Sequence, residues 1–232
     1  MQSNSILMRF FVVGLALVAL PACIKYHDLV KSEFPQGESQ PDQQAVAVAH
    51  RRSKVVYDEF STKAIFDGLW LSDAMRTAYV DMYAYRKGLD AEAREARLKR
   101  QLEENRVWLN FYLLAEAYDK NAAQLNEKNS PWSVYAMIDD KHKLVPEVIK
   151  LDDELEPEFQ KFFGPRFNFF KSAYLIKFRL TEGMAEHIAS GKYSSIKLVI
   201  GSVYKKCDDM EWTRANVQPQ KKVKDDKDIY WG

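Results

Sequence analysis

Four histidines, His27, His50, His142 and His187, are the side chains best fitted to ligate a metal or move a proton near neutral pH. Their spacing makes no HExxH, no HxH and no paired Cys/His set, so the sequence offers no metal centre. Nucleophilic chemistry would need a serine on a GxSxG elbow or a cysteine with a histidine context. Gly201-Ser202 lacks the first and Cys207 lacks the second. The glycines are scattered, and none of them builds a phosphate-cradling loop. Carboxylates do gather, at Asp139-Asp140, Asp152-Asp153-Glu154 and Asp208-Asp209. Glycoside hydrolysis needs two of them facing each other across a cleft, about 5 to 10 Å apart. Adjacent acids on turns more often solvate the turn or cap the next element, and the spaced DxDxDG calcium loop is missing. No catalytic residue, metal ligand or cofactor is therefore expected.

Aromatic side chains are the other candidates for a site. Trp70, Tyr79, Tyr83 and Tyr85 could line a ligand groove beneath a helical hairpin, although core packing meets the same helical spacing more economically. Ile229-Tyr230-Trp231 is an aromatic cluster on a charged tail, and Tyr230 and Trp231 could dock a partner there. The alternatives are that this cluster folds back on the body or lodges among lipid headgroups.

One cysteine is more informative. Residues 10–20 form an apolar run of about eleven residues, too short to span ~30 Å of hydrocarbon and suited to a signal-peptide core. Arg9 is the only charge ahead of it, and Met8 is a second candidate start. Cys23 falls directly where the run stops, after Leu20-Pro21-Ala22. This stretch resembles the lipobox of bacterial lipoproteins. The resemblance implies cleavage between Ala22 and Cys23 by the lipoprotein signal peptidase, diacylglycerol on the Cys23 thiol, and a further acyl chain on the new amino terminus. Two or three such chains hold a protein firmly, whereas one holds it only marginally. Ile24, rather than aspartate, follows the cysteine, which by analogy with Gram-negative sorting implies the outer membrane. With Cys23 acylated, Cys207 has no disulfide partner within the chain.

Behind the anchor, residues 23–52 read as a tether. The stretch 31–52 (KSEFPQGESQPDQQAVAVAHRR) is rich in Gln, Ser, Pro and charge, with a random-coil span of roughly 25 Å. Residues 53–212 read as the folded body. Strand composition marks 54–60 and 63–71. Ser72 stands where an N-cap belongs, and Met75, Ala78, Tyr79, Met82 and Tyr83 recur at helical spacing. Gly88 ends this helix and Asp90 caps a second, charge-interleaved one, giving a helical hairpin at about 73–104. Residues 107–115 (VWLNFYLLA) are apolar on both faces; periodicity cannot assign them, and their length and aromatics favour a strand. Residues 132–138 read as a strand that turns through 139–143 and returns as 144–151, with Pro146 placing the return at a sheet edge. LDDELEPEFQKFF, from Leu151, reads as an acid-capped helical turn. Tyr174, Ile176, Phe178 and Leu180 share one face of a further strand, and 194–205 is the last strong strand, with Gly201 at a bulge. Residues 213–232 read as a charged, mobile tail.

The expected fold class is mainly β, or α+β: an antiparallel β-sandwich carrying the helical hairpin as an insertion. The order of features also resembles a group of uncharacterised bacterial envelope proteins, through Thr62-Lys63-Ala64, Leu71-Ser72, Ser130-Pro131-Trp132 and the strand from Tyr174 to Phe178. That resemblance implies fold and compartment, and no activity.

A net charge of +1 gives no electrostatic case for nucleic acid as a partner. The function expected is that of a membrane-anchored envelope lipoprotein, held by its acyl chains and acting as a non-enzymatic interaction or accessory module for a protein partner in the envelope. The alternative is a carrier of a small apolar ligand, which requires an enclosed cavity on the order of several hundred Å³ lined by Trp70, Tyr79, Tyr83 and Tyr85. Less favoured is a hydrolase of envelope polymers, which requires convergent carboxylates of perturbed acidity.

Overall fold

The structure, a computed structural model, describes residues 41–58, 61–117, 124–202 and 205–217. The elements in chain order are α1 (Pro41–His50), β1 (Arg51–Asp58), β2 (Ser61–Trp70), α2 (Asp73–Lys87), α3 (Ala91–Asn105), β3 (Trp108–Ala117), β4 (Trp132–Ile138), β5 (His142–Leu144) and β6 (Val148–Leu151). They continue as α4 (Pro157–Phe163), a 3-10 turn (Gly164–Arg166), β7 (Ser172–Arg179), α5 (Glu182–Ala189), β8 (Ser195–Ser202), β9 (Lys205–Thr213) and α6 (Arg214–Val217).

The strands form two antiparallel sheets, one ordered β1-β2-β3-β7-β6 and the other β5-β4-β8-β9. Their facing sides make one core. Phe66, Phe111, Leu113, Ile176 and Phe178 from the larger sheet meet Ala136, Ile196, Leu198, Ile200 and Trp212 from the smaller. The far side of the larger sheet is covered too. Leu69, Tyr112 and Leu114 pack there against Ala47 of α1, Met75, Tyr79 and Met82 of α2, and Phe159 and Phe162 of α4. The fold is therefore an α+β sandwich with a helical layer on one face. This layering explains why 107–115 is apolar throughout: β3 is the central strand of a sheet buried on both faces, so no polar alternation is needed.

Local chemistry sets the hairpin of α2 and α3. The Ser72 side chain accepts the Met75 amide proton, and Gly88 takes the left-handed conformation (φ 63°) that closes α2. The Asp90 carboxylate accepts from Ala93 N at 2.8 Å and starts α3, which has no buried residue, as its interleaved charges require. The register of β8 and β9 shifts between Ile200 and Ser202, which places a bulge at Gly201.

Four expectations need correcting. The tether does not extend to residue 52: Pro41–His50 is helical and Arg51 opens β1, because Ala47 and His50 are fully buried beneath the helical layer. The return strand at 144–151 is two strands. β5 pairs with β4 in one sheet and β6 with β7 in the other; Pro146, which has no N–H to donate, stands at the step between two edge positions. Strand 194–205 is not the last, since KKCDDMEWT forms β9 and supplies Met210 and Trp212 to the core. The segment at 182–189, outside the expected strands and hairpin, is helix α5. The expected tail begins with α6, and its remainder, 218–232, lies outside the described residues, as do residues 1–40.

Two hydrogen bonds join the α1–β1 junction to the last strand of the core. Trp212 Nε1 donates to His50 O at 2.7 Å, and Arg52 Nε donates to Glu211 O at 2.9 Å.

Candidate functional site

Several elements begin or end together at one end of the sandwich: α1 and α3 end there, β2 and β7 end there, and α2 and β3 begin there. They leave a half-open cleft of about 240 Å³. Its walls are apolar, from Trp70, Trp108, Leu109, Leu180, Ile188 and Tyr193, while Ser72, Asp73, Asn105, Arg106 and His50 form its polar end. Trp70 is held edge-on against Tyr193, with ring centroids 5.6 Å apart.

At the floor, His50 Nδ1 lies 2.8 Å from Val46 O. A carbonyl only accepts, so Nδ1 carries the proton and Nε2 is the acceptor. The Ser72 hydroxyl, 2.6 Å from Nε2, then donates to it while accepting the Met75 amide at 3.2 Å. A serine donating to a histidine is the first half of a nucleophile-activating relay. The second half is missing. Burial lowers the His50 pKa to about 4, and nearby Arg52 adds to the effect. Nδ1 faces a backbone carbonyl, not a carboxylate, so the imidazolium that proton transfer would create has no counter-charge. The pair fixes the Ser72 hydroxyl and closes the floor of the cleft.

The rim is a polar network. Asp73 accepts from Asn105 Nδ2 at 2.8 Å and from Arg106 Nη2 at 3.3 Å, and Asn105 also donates to Leu71 O at 3.0 Å. Behind it, buried Arg76 donates to Asn105 Oδ1 at 2.5 Å and to Glu104 Oε2 at 3.3 Å, and Lys177 Nζ donates to Glu104 Oε1 at 2.6 Å. Burial opposes ionisation of Glu104, but Arg76 and Lys177 outweigh it and hold its carboxyl below the ordinary range. These bonds fix the C-terminal end of α3 against β3 and β7, and so set the width of the cleft.

The groove expected from Trp70, Tyr79, Tyr83 and Tyr85 is not assembled. Trp70 lines the cleft, but Tyr79 belongs to the helical layer, stacked on Phe159 at 4.5 Å, with its hydroxyl donating to Glu156 Oε2 at 2.7 Å. Burial, with Glu156 beside it, pushes the Tyr79 phenol upward. Tyr83 lies under the Arg97 guanidinium, 3.6 Å from its ring centroid, and Tyr85 points to solvent. Helical spacing gathered the tyrosines into packing, and α2 presents them away from the cleft. Ala22, Cys23, Ile24, His27, Tyr230 and Trp231 lie outside the described residues.

Asp139 has a structural role. Asp139 accepts from Ser194 N (2.6 Å), Ser194 Oγ (2.8 Å) and Ser195 N (3.1 Å), and faces His187 Nε2 at 2.7 Å. Burial works against ionisation, but these donors hold the Asp139 carboxyl well below the usual carboxylate range. Its place is the turn between β4 and β5, whereas Asp152 begins the segment after β6, in the other sheet. Among the described residues no group of three or more His, Cys, Asp or Glu is placed to hold a metal ion, and no helix is long and apolar enough to cross a membrane.

Sequence reasoning missed His50 as a site residue. The chain around it is polar enough to read as tether, and the usable signal was local: Val46, Ala47 and His50 share one helical face directly before a strand.

Comparison with family models and with curated proteins gives no match. A solved structure from Burkholderia pseudomallei, described as a novel protein of unknown function, is similar over 75% of this chain and 86% of that one, at 15% identity and a TM-score of 0.38.

Proposed function

We propose that this is an exported lipoprotein, anchored through Cys23, whose folded domain is a non-enzymatic module that takes a small, largely apolar ligand into the cleft beside Trp70. The observation that carries this reading is the pairing of apolar walls with a closed polar floor. Trp70, Trp108, Leu180 and Ile188 offer surface whose dehydration favours binding, and Ser72 and the Asp73–Arg106 pair can orient one polar group of the ligand. The low basicity of His50 favours binding over acyl transfer at this serine. Anchorage rests on the lipobox-like stretch ending at Cys23, and Ile24 favours the outer membrane where the envelope has one.

The test is native mass spectrometry of the protein extracted from the envelope, beside an Ile188→Trp variant that fills the cleft. A released small apolar molecule carried by the wild type and absent from the variant supports the reading. Equal recovery from both proteins, or no bound molecule and no displacement of an environment-sensitive apolar dye, overturns it. Anchorage is read separately, by incorporation of labelled palmitate that Cys23→Ala abolishes.

A further inference from the structure

Phe169 and Phe170 are adjacent and project into solvent, 99% and 80% exposed. The turn that carries them is tied down. Phe167 N donates to Gly164 O at 3.0 Å, Phe170 N to Asn168 Oδ1 at 2.9 Å, and Lys171 N to Asn168 O at 3.2 Å. Both flanks are fastened to one buried carboxylate: Arg166 Nη1 reaches Asp67 Oδ1 at 3.1 Å and Lys171 Nζ reaches Asp67 Oδ2 at 2.8 Å. Phe167 packs on the helical-layer core. Water therefore meets two large apolar rings on a turn whose hydrogen bonds keep it from folding them inward. A pair of exposed aromatics on a fixed turn marks a contact surface.

We propose that the Phe169–Phe170 turn inserts into the interfacial zone of a lipid bilayer and orients the domain on it. The shape and size of the tip favour lipid over protein. Each ring can bury about 150–250 Å², so the pair offers at most roughly 500 Å², short of the ~800 Å² per partner that a stable protein interface needs. A bilayer requires no matching groove. Arg166, 41% exposed beside the rings, suits anionic headgroups. Tyr57, half-exposed, lies toward the same end of the sheet: it pairs with Thr62 at the start of β2, which runs beside the end of β3 (Ala64↔Ala117) and so beside the start of β7 (Ala115↔Ser172). Weak insertion of this kind is enough once another attachment keeps the domain at the surface, and for that proximity alone the proposal rests on the lipid anchor.

The placement has a directional result. The turn precedes β7, and Leu180, in the cleft wall, follows it. The strand separates them by ~26 Å at 3.3 Å per residue, so a domain seated on the turn opens its cleft away from the membrane.

The experiment is site-resolved quenching on vesicles of phosphatidylethanolamine and phosphatidylglycerol. The chain from residue 23 onward, with Cys23→Ser and Cys207→Ser, is held on nickel-chelating lipid by an amino-terminal histidine tag, so attachment does not depend on acylation. An environment-sensitive fluorophore is placed at Phe169→Cys or, as control, at Val145→Cys, an exposed site on the turn between β5 and β6. Quencher-bearing lipid is expected to cut emission from position 169 about twofold or more, since interfacial insertion reaches roughly 5–10 Å into the bilayer, and to leave position 145 unchanged. Phe170→Ser should abolish the difference, with thermal stability unchanged. Equal quenching at both sites, or none at 169, overturns the proposal. So does a photoreactive residue at 169 that cross-links in cells to a single protein in preference to lipid. Absence of palmitate on the wild-type chain would defeat the anchor reading while leaving the quenching result to stand.

Discussion

A Cβ added at Gly68 would lie 2.7 Å from Sδ of Met210, and Trp212 is next at 3.5 Å. β2 and β9 belong to different sheets, so this glycine is where one sheet lets the other approach. Gly68→Ala should lower stability by about 1 kcal/mol, because the Met210 side chain can yield, and Gly68→Val by about 3 kcal/mol. Chemical denaturation checks this, and Gly68→Val combined with Met210→Ala should cost less than the sum of the two single changes.

Ser72→Ala removes an N-cap and leaves Nε2 of a fully buried imidazole without a donor. The two losses together predict about 2–3 kcal/mol of destabilisation by urea titration at pH 7. Ser72→Asn keeps the cap and should recover part of it.

The pKa of His50 is about 4 in the folded protein, against 6.5 as its ordinary value. The unfolded chain therefore binds the proton more readily, and stability is complete above pH 6.5 and declines as pH falls toward 4. The loss over this window should reach about 3 kcal/mol and should be absent in His50→Gln, itself less stable at pH 7. Asp139 acts lower on the scale. Its carboxyl is depressed, so its contribution is present above the ordinary carboxylate range and fades only as pH falls through and below it. Melting curves from pH 7.5 to 3, in wild type, His50→Gln and Asp139→Ala, separate the two.

Asp139 and Asp140 both have positive φ, 54° and 56°, and Lys141 N donates to Ile138 O at 3.1 Å, which makes a type I′ turn. Asp140→Gly should stabilise the protein by about 0.5 kcal/mol, the pair that the exposed Asp140 carboxylate makes with Lys197 being worth little. Asp139→Ala should cost about 2 kcal/mol, since the amides and hydroxyl that converge on that carboxylate lose their acceptor. Thermal unfolding of both variants tests the contrast.

Much of the fold was legible because short-range chemistry agreed with it. Ser72, Gly88 and Asp90 marked the hairpin, and alternation at Tyr174, Ile176 and Phe178 marked β7. What escaped depended on distant partners. β9 reads as a charged segment, and only the facing sheet shows that Met210 and Trp212 are the residues it buries. α1 has too little apolar surface to announce itself and is held by Leu69, Tyr79 and their neighbours in the helical layer. The cleft belongs to the same class: its residues come from five separated stretches of chain, and their convergence is a property of topology.

The bonds from Trp212 to His50 and from Arg52 to Glu211 tie the beginning of the core to its final strand. Until β9 is available, the larger sheet lacks the cover that Met210 and Trp212 give it around Gly68 and Phe111. A chain emerging in order from a ribosome or a translocation channel thus has no completed core to lock prematurely. Closure of that core waits for β9, which follows every other described strand.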